Sequence, residues 1–516
     1  MNDPLVLTFD VGTQSVRCGI VTPDGEFADK EQLGYETPYF SREPGWAEQR
    51  PGFYFEKMAE VSKKLLERNA ETVGRIKAVS VTCIRDTVLC LDQNREPLRD
   101  VILWLDSRKA KFDRPFGAGK RALFALIGMG DSIKKIYKAT AANWLMQNEP
   151  EIWEKTDKYV MLPTYLNYLL TGELKDSASN MIGHVPFDYK NRRWMGEKDL
   201  TRCVSDVPAE KLCELVPSGE VIGLITEEAS EKTGIPAGLP LVASGSDKGC
   251  ETLGLSVVHD DRASVSLGTT ATLQMATKDY FEPQKFLPAY PGVPNDIYNP
   301  EFEVYRGFWL VSWFIKEFAA EERITAKERG VSPEKVLDES LESVPPGCDG
   351  LVLQPFWTAG IVNPNALGSM VGFADFHTRA HVYRAIIEGI GFELYHGLRT
   401  MEKRSGKRVR ELYAAGGGAR SDAVCQLMAD LFGLPVMRTQ TYEACSVGAA
   451  MPAFIRLGVF KDYDEAIARM VRVKDRFEPD AKNHAVYETL YEQVYSGIYP
   501  ALKKTEKNIM TIYKRR

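Results

Sequence analysis

The stretch Leu-Val-Leu-Thr-Phe-Asp-Val-Gly-Thr-Gln-Ser-Val-Arg, residues 5–17, decides the fold of this chain. It begins as an apolar run typical of a buried strand and reaches Asp10 at the end of that run. A turn with Gly12 and Thr13 follows, and residues 15–21 predict a second strand. We therefore expect a β-hairpin with a carboxylate and a Gly-Thr turn at its tip. Such a tip suits a hydrated metal ion and phosphate oxygens, whereas the alternative is an ordinary hairpin with a polar turn.

The same pattern returns about half a chain later. Residues 263–267 predict a strand, Gly268-Thr269-Thr270 a turn, and residues 271–276 another strand. Two hairpins with the same turn chemistry, each heading about half of the chain, predict two similar α/β domains. If these domains face one another, the two turns would clamp a polyphosphate from both sides. Within the first half, we expect residues 107–240 to be mostly helical.

Polar residues follow two predicted strands of the first half. Residues 76–83 predict a buried parallel strand, and Arg85-Asp86 comes directly after it. Residues 239–243 predict a strand that leads into a small-residue turn, with Asp247 near the start of a helix. Open α/β sheets bind ligands at the carboxyl ends of their strands. The alternatives are a surface ion pair at Arg85-Asp86 and a helix N-cap at Asp247.

Two further segments are candidates for ligand contacts. Residues 412–415 predict a strand, Gly416-Gly417-Gly418 a turn, and residues 422–432 a helix. A strand, a glycine turn and a helix N-terminus make a seat for an anion or nucleotide, although a plain connection would have the same pattern. Trp46 lies on a Pro/Gly-containing loop, where an indole forms either the wall of a ligand pocket or a plug in the core.

Composition excludes several classes of function. The 516 residues carry a formal net charge of −6, which argues against a general nucleic-acid binder or a binder of anionic membranes. The nine cysteines include no C-x-x-C pair, so we expect reduced thiols. No run of about 20 apolar residues occurs, and we expect a cytoplasmic protein. His377 and His381 have ligand-like spacing, but the H-E-x-x-H zinc motif is absent.

Seven motifs, each weak alone, occur in an order that resembles the FGGY carbohydrate kinases, within the sugar kinase, actin and heat-shock ATPase superfamily. They are Asp10-Val-Gly-Thr-Gln-Ser, Pro44-Gly-Trp-Ala-Glu, Trp104-Leu-Asp-Ser-Arg, Gly245-Ser-Asp, Leu267-Gly-Thr-Thr, the run 381–389, and 416–421 with Gln426 and Asp430. The resemblance covers nearly the whole chain. It implies two actin-like (ribonuclease H-like) α/β domains that face one another across a nucleotide and sugar cleft. Residues 1–254 would bind the sugar and hold the catalytic base, and residues 255–516 would bind ATP.

The resemblance also implies roles for individual residues. Asp247 would be the catalytic base, and Asp10 and Asp247 would lie beside Mg²⁺. The implied substrate contacts are Trp46, Arg85, Asp86 and Asp247, and the implied ATP contacts are Gly12, Thr13, Gln14, Gly268, Thr269, Thr270, Gly417, Gly418 and Ser421. The chain departs from the family at Ala141, where Lys is frequent, at Phe373, where an aliphatic residue is usual, and at Thr270, where Ser is common.

The implied activity is transfer of the γ-phosphoryl group of ATP to a hydroxyl of a small sugar, ketose or polyol. The segment 82–87, Thr-Cys-Ile-Arg-Asp-Thr, resembles glycerol kinase and autoinducer kinase more than the Gly-Gln-Met-His-Gly segment of xylulokinases. One alternative is therefore an autoinducer kinase-like enzyme. A second alternative is a non-enzymatic actin-like ATPase, against which Trp46, Arg85 and Asp86 argue. Many relatives are dimers, so a homodimer is among the expected oligomeric states.

Overall fold

The computed structural model describes residues 3–113, 115–126, 128, 130–284, 287–360, 363 and 365–513. The chain divides into two compact units. The first unit holds the described residues up to Ser256 together with Tyr290–Tyr298 and Glu443–Val471, and the second holds the remainder. The first unit is therefore built from three separate stretches of chain. The predicted division into residues 1–254 and 255–516 assigns the two later stretches to the second domain, whereas they belong to the first unit. Local sequence patterns do not reveal which sheet a distant helix packs on.

The elements of the first 256 residues alternate between strands and helices. The strands are β1 (Leu5–Val11), β2 (Ser15–Val21), β3 (Phe27–Gly34), β4 (Glu48–Gln49), β5 (Ile76–Cys83), β6 (Val88–Leu91), β7 (Val101–Ile102), β8 (Lys158–Met161), β9 (Lys175–Ser177), β10 (Phe187–Asp188), β11 (Arg193–Trp194), β12 (Glu214–Val216), β13 (Val221–Leu224) and β14 (Pro240–Val242). The helices are α1 (Phe53–Arg68), α2 (Ala70–Val73), α3 (Ala118–Leu126), α4 (Gly130–Ala139), α5 (Ala141–Asn148), α6 (Pro150–Lys155), α7 (Leu162–Thr171), α8 (Glu227–Thr233) and α9 (Asp247–Gly254).

The rest of the chain continues the alternation. Its strands are β15 (Arg262–Leu267), β16 (Ala271–Met275), β17 (Tyr290–Pro291), β18 (Tyr298–Asn299), β19 (Glu301–Val304), β20 (Val352–Gln354), β21 (Ser369–Val371), β22 (Glu411–Ala415), β23 (Val436–Thr439) and β24 (Val473–Phe477). Its helices are α10 (Trp309–Phe318), α11 (Ala320–Arg329), α12 (Pro333–Leu341), α13 (Arg379–Ser405), α14 (Asp422–Phe432), α15 (Ala444–Arg456), α16 (Tyr463–Met470), α17 (Ala481–Leu490) and α18 (Ser496–Ile512).

The main sheet of the first unit has the order β13-β14-β5-β1-β2-β3. The hairpin predicted at the start of the chain is confirmed, because β1 and β2 pair in antiparallel register with Asp10 opposite Arg17. On the other side of β1, strand β5 runs parallel to both β1 and β14. Every residue of β1 is buried, which agrees with the near-continuous apolar character of a strand that is covered on both faces.

Helices α1 and α15 cover this sheet, and α15 also crosses α9. A Cβ atom at Gly254 of α9 would collide with the carbonyl of Ala444, and one at Gly448 of α15 would collide with the carbonyl of Cys250. The two helices therefore approach backbone to backbone, which only glycine permits. This crossing fixes the position of α9, the helix that begins at Asp247.

The second unit repeats the plan of the first. Its sheet has the order β19-β16-β15-β22-β23-β24. Strands β15 and β16 form an antiparallel hairpin, and β15 runs parallel to β22, which runs parallel to β23. The second Gly-Thr hairpin is thus confirmed, and so is the prediction of two α/β domains.

The prediction that residues 107–240 are mostly helical is wrong for residues 172–226. This segment contains the short strands β9 to β13 and single turns of 3₁₀ helix. Pro186, Pro208 and Pro217 lie within it, and proline removes a helical hydrogen bond wherever it interrupts a helix. Within the described residues, no helix combines the length and the apolarity that a membrane crossing requires.

Candidate active site

Three neighbouring parallel strands bring the predicted catalytic residues to one edge of the first sheet. Asp10 lies near the end of β1, Arg85 and Asp86 follow β5, and Asp247 follows β14. The Thr82 hydroxyl donates to the Gly245 carbonyl at 2.9 Å, which ties the turn after β14 to β5. As a result Nε of Arg85 lies 3.7 Å from Oδ1 of Asp247. The carboxyl edge of the sheet therefore gathers acidic and basic side chains, as open α/β sheets do at their ligand sites.

Asp247 is the first residue of α9, and it is not the N-cap. Ser246 takes that role, because its hydroxyl accepts a hydrogen bond from Gly249 N at 3.3 Å. The alternative that Asp247 serves only as a cap is therefore wrong. Its Oδ1 accepts a hydrogen bond from Lys248 N at 2.7 Å. Burial raises the pKa of the Asp247 carboxyl, and the charges of Arg85 and Lys248 oppose that rise.

Asp10 is a second buried carboxyl, with 6% of its surface exposed. Burial raises its pKa to about 6, although Nη1 of Arg17 lies 3.0 Å from Oδ2 and opposes the rise. The negative charge of Asp247 also raises the pKa of Asp10, so the two carboxylates are close enough to repel. Arg17 contacts Glu443 as well, at 3.3 Å.

The two carboxylates fit Mg²⁺. Carboxylate oxygens are the hard donors that this ion prefers, and a divalent cation would relieve the repulsion between Asp10 and Asp247. Among the described residues, no group of three or more His, Cys, Asp or Glu side chains is arranged to hold a metal. Mg²⁺ commonly takes one or two carboxylates together with waters and substrate phosphates, so this donor set suits a metal that arrives with a nucleotide.

The first Gly-Thr turn leaves backbone N–H groups available. The Gly12 N–H donates to the Ser15 carbonyl at 2.9 Å and closes the turn. No described residue accepts a hydrogen bond from the N–H of Thr13 or Gln14. The Thr13 hydroxyl accepts a hydrogen bond from Nε1 of Trp104 at 2.9 Å. The tip therefore presents two amides to solvent, as an anion-binding turn requires.

The second Gly-Thr turn is anchored within its own domain. The carbonyls of Gly268 and Thr269 accept hydrogen bonds from Phe308 N at 2.9 Å and Trp309 N at 3.3 Å. The Thr270 hydroxyl donates to the Tyr305 carbonyl at 3.2 Å. Thr269 is exposed at the tip of the turn.

The glycine turn after β22 lies against the second Gly-Thr turn. Gly416 has φ of 82°, and a Cβ atom on it would lie 2.7 Å from the carbonyl carbon of Leu267. A Cβ atom on Gly418 would collide with the ring of Phe308, whereas one on Gly417 would meet nothing within 4 Å. Two of the three glycines are thus required by internal packing, and Gly417 alone faces open space. The Ser421 hydroxyl caps α14 by accepting a hydrogen bond from Val424 N.

Trp46 packs on the core of the first domain and stacks on a buried arginine. The Cζ atom of Arg108 lies 3.9 Å from the centroid of the Trp46 ring and 4.7 Å from that of Trp144. The guanidinium donates to Asp106 Oδ2 at 2.7 Å and to Glu48 Oε1 at 2.8 Å. Trp46 itself is half-buried, so part of the residue packs in the domain and part stays accessible, and its role as a wall of a ligand pocket stays a prediction.

The Asp86 carboxylate is held by a histidine that no sequence pattern identified. Oδ1 of Asp86 accepts a hydrogen bond from His184 N at 2.8 Å, and Oδ2 lies 2.6 Å from Nδ1 of His184. On the neighbouring residue, the guanidinium of Arg85 lies 5.5 Å from the centroid of the Tyr290 ring. The alternative of a simple surface ion pair between Arg85 and Asp86 is therefore wrong, because each side chain has another partner.

The predicted site residues fall into two groups by domain. Trp46, Arg85, Asp86, Asp247, Asp10, Gly12, Thr13 and Gln14 belong to the first unit, whereas Gly268, Thr269, Thr270, Gly417, Gly418 and Ser421 belong to the second. Sequence reasoning missed Arg17, His184 and the contact of Trp104 with Thr13. Arg17 carried a local signal, because a hairpin that turns at residues 12–14 places it opposite Asp10.

Comparisons with known proteins place the chain in a family. Residues 5–254 match the N-terminal domain, and residues 263–457 the C-terminal domain, of the FGGY family of carbohydrate kinases. A xylulose kinase of Staphylococcus epidermidis is 28% identical over 98% of this chain and 99% of its own length. A gluconokinase of Bacillus subtilis is 26% identical over 94% of each chain. The crystal structure of a gluconate kinase from Lactobacillus acidophilus has a TM-score of 0.83 at 22% identity, covering 98% of this chain and 100% of that one.

Proposed function

The chain belongs to the FGGY family of carbohydrate kinases, and on that premise we propose that Asp247 is the base in phosphorylation of a small sugar or polyol. The protein is an ATP-dependent kinase with an alcohol group as the phosphoryl acceptor. Phosphoryl transfer requires little covalent chemistry from a protein, so positioning and charge stabilisation supply most of the rate. A base near the acceptor hydroxyl adds roughly 10²–10⁴-fold.

The position of Asp247 carries this proposal. Its carboxylate lies at the carboxyl edge of the sheet, beside Arg85, and it is not consumed by helix capping. Burial raises its pKa, which brings the carboxylate closer to the basicity that a general base needs near neutral pH. The ionised form must accept the proton, so activity should fall as the pH decreases through that raised pKa.

The proposed ATP contacts follow from the groups that remain available. The N–H groups of Thr13 and Gln14 would face phosphate oxygens of ATP. The exposed Thr269, which follows Gly268 in the second turn, would also contact a phosphate. Gly417 would line the site that binds adenosine. Four other predicted contacts would shape these turns, because their groups are already used within the domains. The N–H of Gly12 and the hydroxyls of Thr270 and Ser421 make internal hydrogen bonds, and Gly418 is closely packed. Asp10 and Asp247 would hold hydrated Mg²⁺, which supplies charge neutralisation for the phosphates.

We infer that the acceptor is a neutral ketose or polyol. The two relatives described above are a xylulose kinase and a gluconokinase, whose names indicate a neutral and an acidic sugar. Around the proposed acceptor, Arg85 lies beside Asp247 and His184 is paired with Asp86. Since each of these two basic side chains lies beside a carboxylate, the negative charge of that carboxylate would repel a carboxylate on the substrate.

A coupled assay of ADP formation tests these proposals. The wild-type protein should release ADP with Mg²⁺-ATP when ketoses or polyols are added, and aldonates should be poorer acceptors. Asp247→Asn should lose roughly 10²-fold or more of that rate while ATP binding survives. Asp464→Asn, which removes an exposed acidic group from the first turn of α16, is the matched control and should retain activity.

Near-full activity of the Asp247→Asn variant would refute the assignment of the base. ATP hydrolysis that no sugar or polyol stimulates, but that another protein does, would favour the actin-like ATPase alternative instead. Faster turnover of aldonates than of any neutral acceptor would refute the inference about substrate charge.

A further inference from the structure

We propose that His184 is a positioning residue that fixes the Asp86 carboxylate for the acceptor sugar and thereby sets the affinity for that sugar. The inference rests on the proposed function, because it takes Asp86 to be a sugar contact. It adds a residue to which the sequence motifs assigned no role.

The main-chain nitrogen and a ring nitrogen of His184 contact the two carboxylate oxygens of Asp86. His184 N donates to Oδ1 at 2.8 Å, and Nδ1 lies 2.6 Å from Oδ2. An ionised carboxylate offers about four lone-pair positions, of which the two contacts with His184 use two. The remaining two can accept hydrogen bonds from sugar hydroxyls, and their directions are set because the carboxylate cannot rotate.

The backbone around Asp86 supports the same orientation. Asp86 has φ of 49°, in the left-handed region that a non-glycine residue adopts at a cost. Its N–H donates to the Ile182 carbonyl at 3.1 Å, and a Cβ atom on Gly183 would collide with its carboxylate. The segment 182–184 therefore surrounds Asp86 closely, which explains how the strained conformation is maintained.

His184 is itself held in place. The Ser205 hydroxyl donates to the His184 carbonyl at 3.2 Å, and the Tyr189 hydroxyl donates to the Gly183 carbonyl at 2.9 Å. Arg202, the cation of the adjoining 3₁₀ turn, donates to the carbonyls of Ser205, at 2.7 Å, and of Val207. Asp86 is thus the charged group that acts on the His184 ring.

The pair is open to a ligand and sensitive to pH. The side chains of His184 and Asp86 are 33% and 27% exposed, so one edge of the pair remains accessible. Burial lowers the pKa of His184, but the charge and hydrogen bond of Asp86 more than offset this effect and raise the pKa overall. Below that pKa the contact is charge-assisted, and such hydrogen bonds are about twice as strong as neutral ones. The contact between the His184 ring and the Asp86 carboxylate should therefore weaken as the pH rises through the pKa of His184.

Steady-state kinetics of two substitutions test the proposal. His184→Ala removes the side-chain contact and should raise KM for the sugar about tenfold, with kcat and KM for ATP changed less than about threefold. His184→Asn places an amide nitrogen near the position of Nδ1, so it should restore most of the affinity. Because an amide does not titrate, KM for the sugar should then lose the rise that we expect in the wild type as the pH increases through the raised pKa of His184.

His396→Asn is the matched control. His396 contacts the Tyr491 hydroxyl at 2.7 Å in the second unit, and its substitution should leave both KM values unchanged. An unchanged sugar KM in His184→Ala, an equal rise of both KM values, or a wild-type pH profile in His184→Asn would each overturn the proposal.

An NMR titration of the histidine side chains separates this proposal from the proposed function. Asp86→Asn should lower the pKa of His184, and added sugar should shift the His184 resonance in the wild type. If no sugar stimulates ADP release, the proposed function fails by that result. An unshifted His184 resonance, or an unchanged His184 pKa in Asp86→Asn, overturns the positioning role whatever the turnover assay shows.

Discussion

Replacing Glu393 with Gln should stabilise the protein above neutral pH. Glu393 lies in α13 with 8% of its surface exposed, and the Tyr495 hydroxyl donates to Oε2 at 2.6 Å. Burial raises the pKa of Glu393 from 4.5 to about 7, and the Tyr495 hydrogen bond opposes that rise only in part. The carboxyl is therefore accommodated as a neutral acid, and at higher pH the fold must hold a buried charge without a cation.

The magnitude follows from linkage between protonation and folding. A folded-state pKa above the unfolded value contributes stability that is present below the unfolded pKa and lost as the pH rises through the folded pKa. The rise from 4.5 to about 7, at about 1.4 kcal/mol per unit, gives a cost of about 3 kcal/mol at pH 8. About 2 kcal/mol of this cost should develop between pH 5.5 and 8.

Urea unfolding of Glu393→Gln and the wild type from pH 5.5 to 8 measures the effect. The variant should gain stability relative to the wild type as the pH rises, by about 2 kcal/mol from pH 5.5 to 8. Glu388→Gln, in the same helix, is the matched control, because it removes a buried carboxylate that does have a cationic partner and should therefore lower the stability. Its Oε1 accepts from Arg384 Nε at 2.7 Å, and breaking such a buried pair should cost about 3–5 kcal/mol. Parallel pH curves for Glu393→Gln and the wild type would refute the reasoning.

Two other substitutions separate packing from ligand contact. Gly416→Ala should destabilise the second domain by about 1–3 kcal/mol, because a Cβ atom at this position would lie 2.7 Å from the carbonyl carbon of Leu267. Gly417→Ala should leave thermal unfolding unchanged and weaken only ATP binding, measured by calorimetry. Equal effects of the two substitutions on unfolding would contradict the assignment. Arg108→Lys should lower the free energy of unfolding by about 2–4 kcal/mol, because it removes the two side-chain hydrogen bonds that the guanidinium donates to the buried Asp106 carboxylate, whereas Glu48 keeps Arg99 as a partner. It should also raise KM for the sugar by loosening the Trp46 ring, and an unchanged KM in a stable variant would show that Trp46 does not line the acceptor site.

Much of the fold was predictable because its signals are local. Both Gly-Thr hairpins, the strand at residues 76–83 and the glycine turn before α14 follow from apolar runs and turn chemistry within a dozen residues. The helical prediction for residues 172–226 is wrong because short strands and 3₁₀ turns have no strong period of their own. The family motifs predicted Asp247 as the catalytic base. They did not reveal that Ser246, and not Asp247, caps the helix.

The amino-acid sequence by itself determined that the chain forms two α/β domains headed by similar hairpins, and which polar residues stand at the ends of their strands. Only the tertiary structure decided how those residues are partnered. His184 reaches Asp86 across 98 positions of the chain, and Glu443 reaches Lys30 across 413. The raised pKa values of Asp10 and Asp247 likewise arise from burial and neighbouring charges. Secondary structure depends on neighbours along the chain, whereas burial and pairing depend on neighbours in space, which no local pattern encodes.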